Sequence, residues 1–136
     1  MDNKSIVRAF AKAADDISAG KAEWTLQQNM VTEDFRVHTA GSAEPLDFAA
    51  FRRFSGELMA GFPGFHHRFE DQIAEGDRVA NRITLACKHD GVFEGIAPTH
   101  KTVEMTIYNI MRIADGKIAE IWRISDMEGL LRQING

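Results

Sequence analysis

The sequence predicts an α+β protein in which helices come first and an antiparallel sheet follows. Three observations carry this. Apolar residues over the first sixty positions recur at helical spacing, those of the second half alternate at strand spacing, and Asp115-Gly116 marks a tight hairpin. The chain has 136 residues without an internal repeat, low-complexity tract or Pro/Ser-rich linker, so one domain over residues 1–136 is expected.

The elements follow in order. Between Ser5 and Ile17, the residues Ile6, Phe10, Ala13, Ala14 and Ile17 share one helical face, and Gly20 supplies the stop. A second helix is expected from about Lys21 to Met30, with Trp24 and Leu26. Phe35-Arg36-Val37-His38 reads as a short strand, followed by a loop from Thr39 to Pro45. Asp47 can cap a third helix carrying Phe48, Phe51, Phe54, Leu58 and Met59. That helix ends at Gly61-Phe62-Pro63-Gly64, where proline and two glycines break it.

From Phe65 to Ala74, Phe65, His67 and Phe69 fall on one strand face until Asp71 interrupts the series. Glu75-Gly76-Asp77 is a turn. Arg78 to His89 is a strand whose apolar side carries Val79, Ile83, Leu85 and Cys87. After a loop through Pro98, Thr102 to Ile113 forms a long strand, and Asp115-Gly116 returns the chain along Lys117 to Asp126. Met127 to Ile134 closes as a short helix with Asp126 at its N-cap. A helical layer packed on one curved antiparallel sheet is the simplest architecture.

Composition removes whole classes of function. Sixteen Lys plus Arg against twenty Asp plus Glu give a charge of −4 with no basic block, so neither nucleic acid nor an anionic membrane is an expected partner. No apolar run approaches the roughly 18 residues of a membrane span. The polar N-terminus lacks a signal-peptide core, and a cytoplasmic protein is expected. The single cysteine, Cys87, rules out an internal disulfide or a cysteine zinc cage and reads as a core residue. No metal-binding histidine spacing, serine-hydrolase elbow, Walker loop or dinucleotide fingerprint occurs, so no metal and no cofactor are expected. His66 and His67 are neighbours that a strand would point to opposite faces, where they cannot easily share a metal.

The last hairpin carries the chemistry. With a two-residue turn, Ile118 pairs with Ile113, Glu120 with Met111, Trp122 with Asn109, Ile124 with Ile107 and Asp126 with Met105. The helix-facing side then holds mostly apolar residues, Trp122 and Ile124 among them, with three polar intruders: Asn109, Glu120 and Asp126. A three-residue loop would swap the face of the partner strand. A carboxylate beside Trp122 and Ile124 would be desolvated, raising an aspartate pKa above its usual value of about 3.9. Such an acid can take a proton from carbon near neutral pH. Asp126 can equally serve as a helix cap. His38, ending its short strand, could orient a carbonyl or share a proton with Asp126.

Several spaced motifs now point one way. They are Ala74-Glu75-Gly76-Asp77-Arg78-Val79, His89-Asp90-Gly91-Val92-Phe93-Glu94-Gly95-Ile96-Ala97-Pro98-Thr99, and Lys101-Thr102-Val103. The tail Arg112-Ile113-Ala114-Asp115-Gly116-Lys117-Ile118-Ala119-Glu120-Ile121-Trp122, with Asp126 and Gly129-Leu130-Leu131-Arg132-Gln133, belongs with them. Together they resemble the SnoaL-like polyketide cyclase family. The resemblance implies a cone-shaped α+β barrel of the nuclear transport factor 2-like superfamily, usually homodimeric, whose curved sheet wraps helices around an apolar pocket. It implies an acid/base aspartate near the end of the last strand that promotes an intramolecular aldol ring closure without metal or cofactor. Asp126 matches that aspartate by position, and His38 lies where the family has a polar pocket residue. Trp122, Asn109 and His89 are further pocket candidates. The family's polar pair on the penultimate strand is missing here, where Asn109 stands between Ile107 and Met111.

Two functions of different class follow. The first is an acid/base enzyme acting on a hydrophobic carbonyl compound, with Asp126 removing an α-proton and His38 or Asn109 holding the enolate. The second is a non-catalytic small-molecule-binding domain, for which Met105, Met111 and Met127 suit adaptable apolar contact. An epoxide hydrolase would use Arg82 and Asp126 but lacks a second acid. A ketosteroid isomerase would want a pocket tyrosine, and Tyr108 falls on the opposite face. That outer face, with Thr106, Tyr108, Ile110 and Ile121, is apolar enough to predict a homodimer.

Overall fold

The computed structural model describes residues 1–136. The elements are α1 (Asn3–Ser18), α2 (Trp24–Gln28), β1 (Val31–Thr39), α3 (Phe48–Gly61), β2 (His66–Glu75), β3 (Arg78–Lys88), β4 (Thr102–Ala114), β5 (Lys117–Ser125) and α4 (Met127–Asn135). One curved, unclosed sheet holds all five strands in the order β1-β5-β4-β3-β2. The helices pack on one of its faces.

The caps read from sequence are in place. Asp47 accepts a hydrogen bond from the Ala50 amide at 2.9 Å, and Asp126 accepts one from the Gly129 amide at 2.9 Å. Gly20 follows α1 with φ +74°. Asp115 and Gly116 both take positive φ and form the expected two-residue turn, with Ala114 facing Lys117.

Three expectations are corrected. The second helix is a single turn and a half, and the first strand starts at Val31, four residues earlier than read. The sheet is mixed: β1 runs parallel to β5, while the other neighbours are antiparallel. The third correction is the register of the last hairpin. Ile113 does face Ile118, but the next pair is Arg112 with Glu120, which leaves Ala119 as an extra residue in β5. From there on Met111 faces Ile121, Ile110 faces Trp122, Asn109 faces Arg123 and Tyr108 faces Ile124.

A bulge of this kind moves every following side chain to the other face. Glu120, Trp122 and Ile124 therefore lie on the outer face, and Ile121, Arg123 and Ser125 face the helices. Ile121 is buried, so it does not belong to the outer apolar patch. A second bulge between Phe69 and Asp71 explains the broken alternation of β2. It lets Asp71 turn outward to meet Arg82 at 2.6 Å.

The core has two parts. Val7 and Phe10 of α1 pack with Phe35 and Val37 of β1 and with Ile118 and Ile121 of β5. Leu130 and Ile134 of α4 pack with Phe62, Phe65 and the β3–β4 residues Leu85 and Met105. Cys87 is buried, and burial pushes its thiol pKa up to about 11, so it stays a protonated core residue at neutral pH. No helix is long and apolar enough to cross a membrane.

The loop after β3 is locked against α3 by backbone contact. The Gly91 amide donates to the Gly61 carbonyl at 3.0 Å, and a Cβ at Gly91 would stand 1.8 Å from the Ala60 carbonyl oxygen. Gly91→Ala should therefore destabilise the fold by about 1–3 kcal/mol in urea titration. Gly56→Ala, in the same helix but with open space at its Cβ, should instead be stabilising by about 0.5–1 kcal/mol.

Candidate active site

Between the helices and the inner sheet face lies a cavity of about 340 Å³. Its wall is mainly apolar, with Phe10, Phe51 and Leu58 on the helical side and Ile83, Met105 and Ile121 on the sheet side. Against that background the polar side chains stand out. His67 reaches the wall from β2, Asn109 from β4 and Arg123 from β5.

His67 is oriented by a buried carboxylate. Its Nδ1 lies 2.6 Å from Asp15 Oδ1, and its own backbone amide donates to the same carboxylate at 3.1 Å. Asp15 is on the last turns of α1 and only 8% exposed. A second imidazole, His66 on the exposed side, stands 3.3 Å from Asp15 Oδ2. An ionised carboxylate only accepts, so Nδ1 of His67 carries a proton, and in the neutral ring Nε2 is the nitrogen with the free lone pair. Nε2 has no partner in the protein. A histidine held this way has the geometry a general base requires, with a carboxylate behind it that would stabilise its protonated form.

Asn109 is oriented by a chain of amides. Arg8 donates to Gln72 Oε1 at 2.6 Å, Gln72 Nε2 to Asn81 Oδ1 at 3.0 Å, and Asn81 Nδ2 to Asn109 Oδ1 at 2.8 Å. A guanidinium can only donate, and this fixes the direction of every bond after it. Asn109 is left with its Nδ2 donors free on the cavity side. Its cross-strand neighbour Arg123 donates through Nε to Thr39 Oγ1 at 3.1 Å and lies 5.7 and 5.6 Å over the rings of Phe51 and Phe54. No carboxylate pairs with Arg123, and burial lowers its pKa.

Of the five site residues singled out from sequence, Asn109 alone lines this cavity, together with Met105, Met111 and Met127 of the binding reading. His38 and Trp122 are on the outer face, stacked at 5.5 Å, with Arg78 4.8 Å over the indole. Nε2 of His38 meets Glu120 at 2.6 Å, so His38 shares a proton with Glu120 and not with Asp126. His89 is fully buried beside Phe62, where its Nδ1 accepts from the Thr99 amide at 3.2 Å. Asp126 is exposed, its carboxylate engaged as the α4 cap and not desolvated among Trp122 and Ile124. Arg82 lies outside on Asp71, and Tyr108 is half-exposed on the outer face as expected.

Sequence reading passed over His67, Asp15 and Arg123. For His67 the signal was present: a lone imidazole between Phe65 and Phe69 on an otherwise apolar strand face. For Arg123 it was hidden by the Ala119 bulge. The apolar pair Ile118 and Ile121, three apart where a strand wants two or four, was its only trace.

The family model that matches residues 6–134 is described as SnoaL-like polyketide cyclase. No curated protein matches the chain. Among solved structures, IdmH of Streptomyces antibioticus, described as a candidate polyketide cyclase, superposes with a TM-score of 0.86 at 26% identity over 100% of both chains. A candidate polyketide cyclase of Bacillus cereus aligns at 25% identity and TM-score 0.75, over 96% of this chain and 78% of its own. AclR of Streptomyces galilaeus, described as a candidate hydroxylase, reaches TM-score 0.85 at 23% identity over 98% and 80%, a likeness of fold.

The outer ion cluster has a pH signature. Partial burial raises the Glu120 pKa, but hydrogen bonds from His38 and Arg112 outweigh it, and the carboxyl titrates below its usual range. Its contribution is therefore present above the unfolded value of about 4.3 and is lost as pH falls through the folded one. Thermal midpoints from pH 6 down to pH 3 should fall more steeply for the wild type than for Glu120→Gln. Parallel curves would refute the assignment.

Proposed function

Because the chain belongs to the SnoaL-like polyketide cyclase family, we propose that it is a cofactor-independent acid/base catalyst acting on a hydrophobic carbonyl compound. The observation that supports this best is His67, tied to the buried Asp15 and set in the wall of an apolar cavity. His67 Nε2 takes the proton from a carbon α to a carbonyl, and the electron pair of the C–H bond moves into the enolate. Asp15 stabilises the imidazolium. For ring closure, the enolate carbon attacks a second carbonyl of the same molecule, a C–C bond forms, and the resulting alkoxide recovers the proton from His67. For isomerisation the proton returns to a different carbon. Either course balances without a co-reactant. Apolar walls keep water from the enolate and strengthen the His67–Asp15 interaction.

The resemblance assigns the proton transfer to Asp126 instead, and the two assignments separate cleanly. Exchange of α-protons for deuterium is followed by NMR over a panel of aryl ketones and β-keto esters. His67→Gln should lower the enzyme-dependent rate by about 100-fold or more. Asp126→Asn should leave it near wild type with stability little changed, because asparagine caps a helix N-terminus about as well as aspartate. The reverse pattern would move the base to Asp126. No exchange by the wild type across the panel would leave a binding domain.

A homodimer belongs to the same reading. Its support is the outer face, where Ile73 of β2, Tyr108 and Ile110 of β4 and Ile124 of β5 are exposed. Light scattering at micromolar concentration should give twice the mass of the 15.2 kDa chain, and Tyr108→Glu with Ile124→Glu should return it to monomer. A monomeric wild type would overturn this part.

A further inference from the structure

The cavity carries a second polar feature that proton transfer does not use. Arg123 and Asn109 face each other across β4 and β5, and both line the same wall. Directly opposed residues of an antiparallel pair have side chains about 5 Å apart, close enough to act on one group. Both present donors only: Arg123 has its terminal guanidinium nitrogens free of protein partners, and Asn109 has its Nδ2 free because the Arg8–Gln72–Asn81 chain holds its oxygen. The nearest groups besides Thr39 are the rings of Phe51 and Phe54, which do not neutralise a cation as a carboxylate would.

The surroundings sharpen the point. Three arginines of the sheet have an acidic partner at hand: Arg68 has Glu70 and Glu104, Arg82 has Asp71 and Arg112 has Glu120, while Arg36 and Arg78 are without one but exposed to solvent. Those pairs are all on the outer face. The inner one, Arg123, has no ion-pair partner: Glu57 and Glu94 also line the cavity, but neither comes within ion-pair distance of it, so a bound molecule could supply the counter-charge. A cation in an apolar wall is costly unless paired and hydrogen-bonded, and a planar guanidinium fits a carboxylate through two parallel bonds.

We propose that Arg123 and Asn109 form an anion-recognising corner, and that the molecule the cavity takes is a hydrophobic carboxylic acid bound as its carboxylate. The inference rests on the same cavity as the proton-transfer reading but not on its chemistry. The corner also sets the length of the ligand. Following the register, His67 stands level with Met105, four residues from Asn109 along β4. That is about 13 Å of strand. A molecule that reaches both carries its acid at one end and its reactive carbon near the other, with a flat apolar body between.

The test uses 2-naphthoate, which has no α-proton to exchange, and 2-naphthamide, its neutral counterpart, both titrated by calorimetry at pH 7.5. The wild type should bind the acid at least tenfold more tightly than the amide. Arg123→Gln should abolish the preference with amide affinity retained, and Asn109→Ala should reduce it. Equal affinities in the wild type, or no binding of naphthoate, would overturn the proposal without reference to any variant. A preference that survives in a folded Arg123→Gln would do the same. Because naphthoate cannot report proton transfer, a positive result here alongside absent deuterium exchange would retain the corner and discard the base.

Discussion

One extra residue decides which side chains this protein shows to its interior. Ala119 stands in β5 without a partner in β4, and the strand beyond it is rotated by one position. Without it, Glu120, Trp122 and Ile124 would face the helices, and Arg123 would lie outside. With it, the outer surface receives an aromatic and acidic ladder and the cavity receives a cation. Ala119 is buried and carries only a methyl group, so two successive inward residues, Ile118 and Ala119, can be accommodated where two large ones could not.

The two faces of the sheet then solve electrostatics in opposite ways. Outside, charges are satisfied within the chain: His38 and Arg112 share Glu120, Arg78 covers Trp122, and Arg82 takes Asp71. Such exposed pairs hold little energy individually. Inside, three polar groups of the cavity wall are held from behind. Asp15 fixes His67, Thr39 fixes Arg123, and three side chains in series fix Asn109. The groups that hold them use up one end of each side chain and leave the other end uncommitted. Preorganised groups with unused capacity distinguish a site from a core.

Most of the architecture was legible in the sequence because it is written in local signals. The periodicity of α1 and α3, the Asp47 and Asp126 caps and the Asp115-Gly116 turn each act over a few residues, and these were found where expected. The side that each strand turns inward was legible only up to its first irregularity. Alternation predicted β3 and β4 correctly through their whole length, since no bulge interrupts them. It failed in β5 because a bulge is set by how the partner strand and helices pack, which no nearest-neighbour pattern records. The site suffered more than the fold: Trp122 and His38 were displaced by that one-residue shift or by the strand it pairs with. Asp15 and His67 come together from residues 52 apart, a meeting that alternation cannot foresee.

The parallel edge has a consequence for how the molecule assembles. β2–β3 and β4–β5 are tight hairpins, and a loop of residues 89–101 joins them, so these four strands can zip as a meander of neighbours in sequence. β1 comes from the other end of the chain and docks on β5, with His38 beside Trp122 and Thr39 beside Arg123. Its pairing requires closure of a loop containing nearly the whole sheet, an entropic cost that the hairpins do not incur. Thr39 reaches Arg123 only when that strand arrives. The order of folding thus places completion of the cavity at the end, after the scaffold that bears it is already formed.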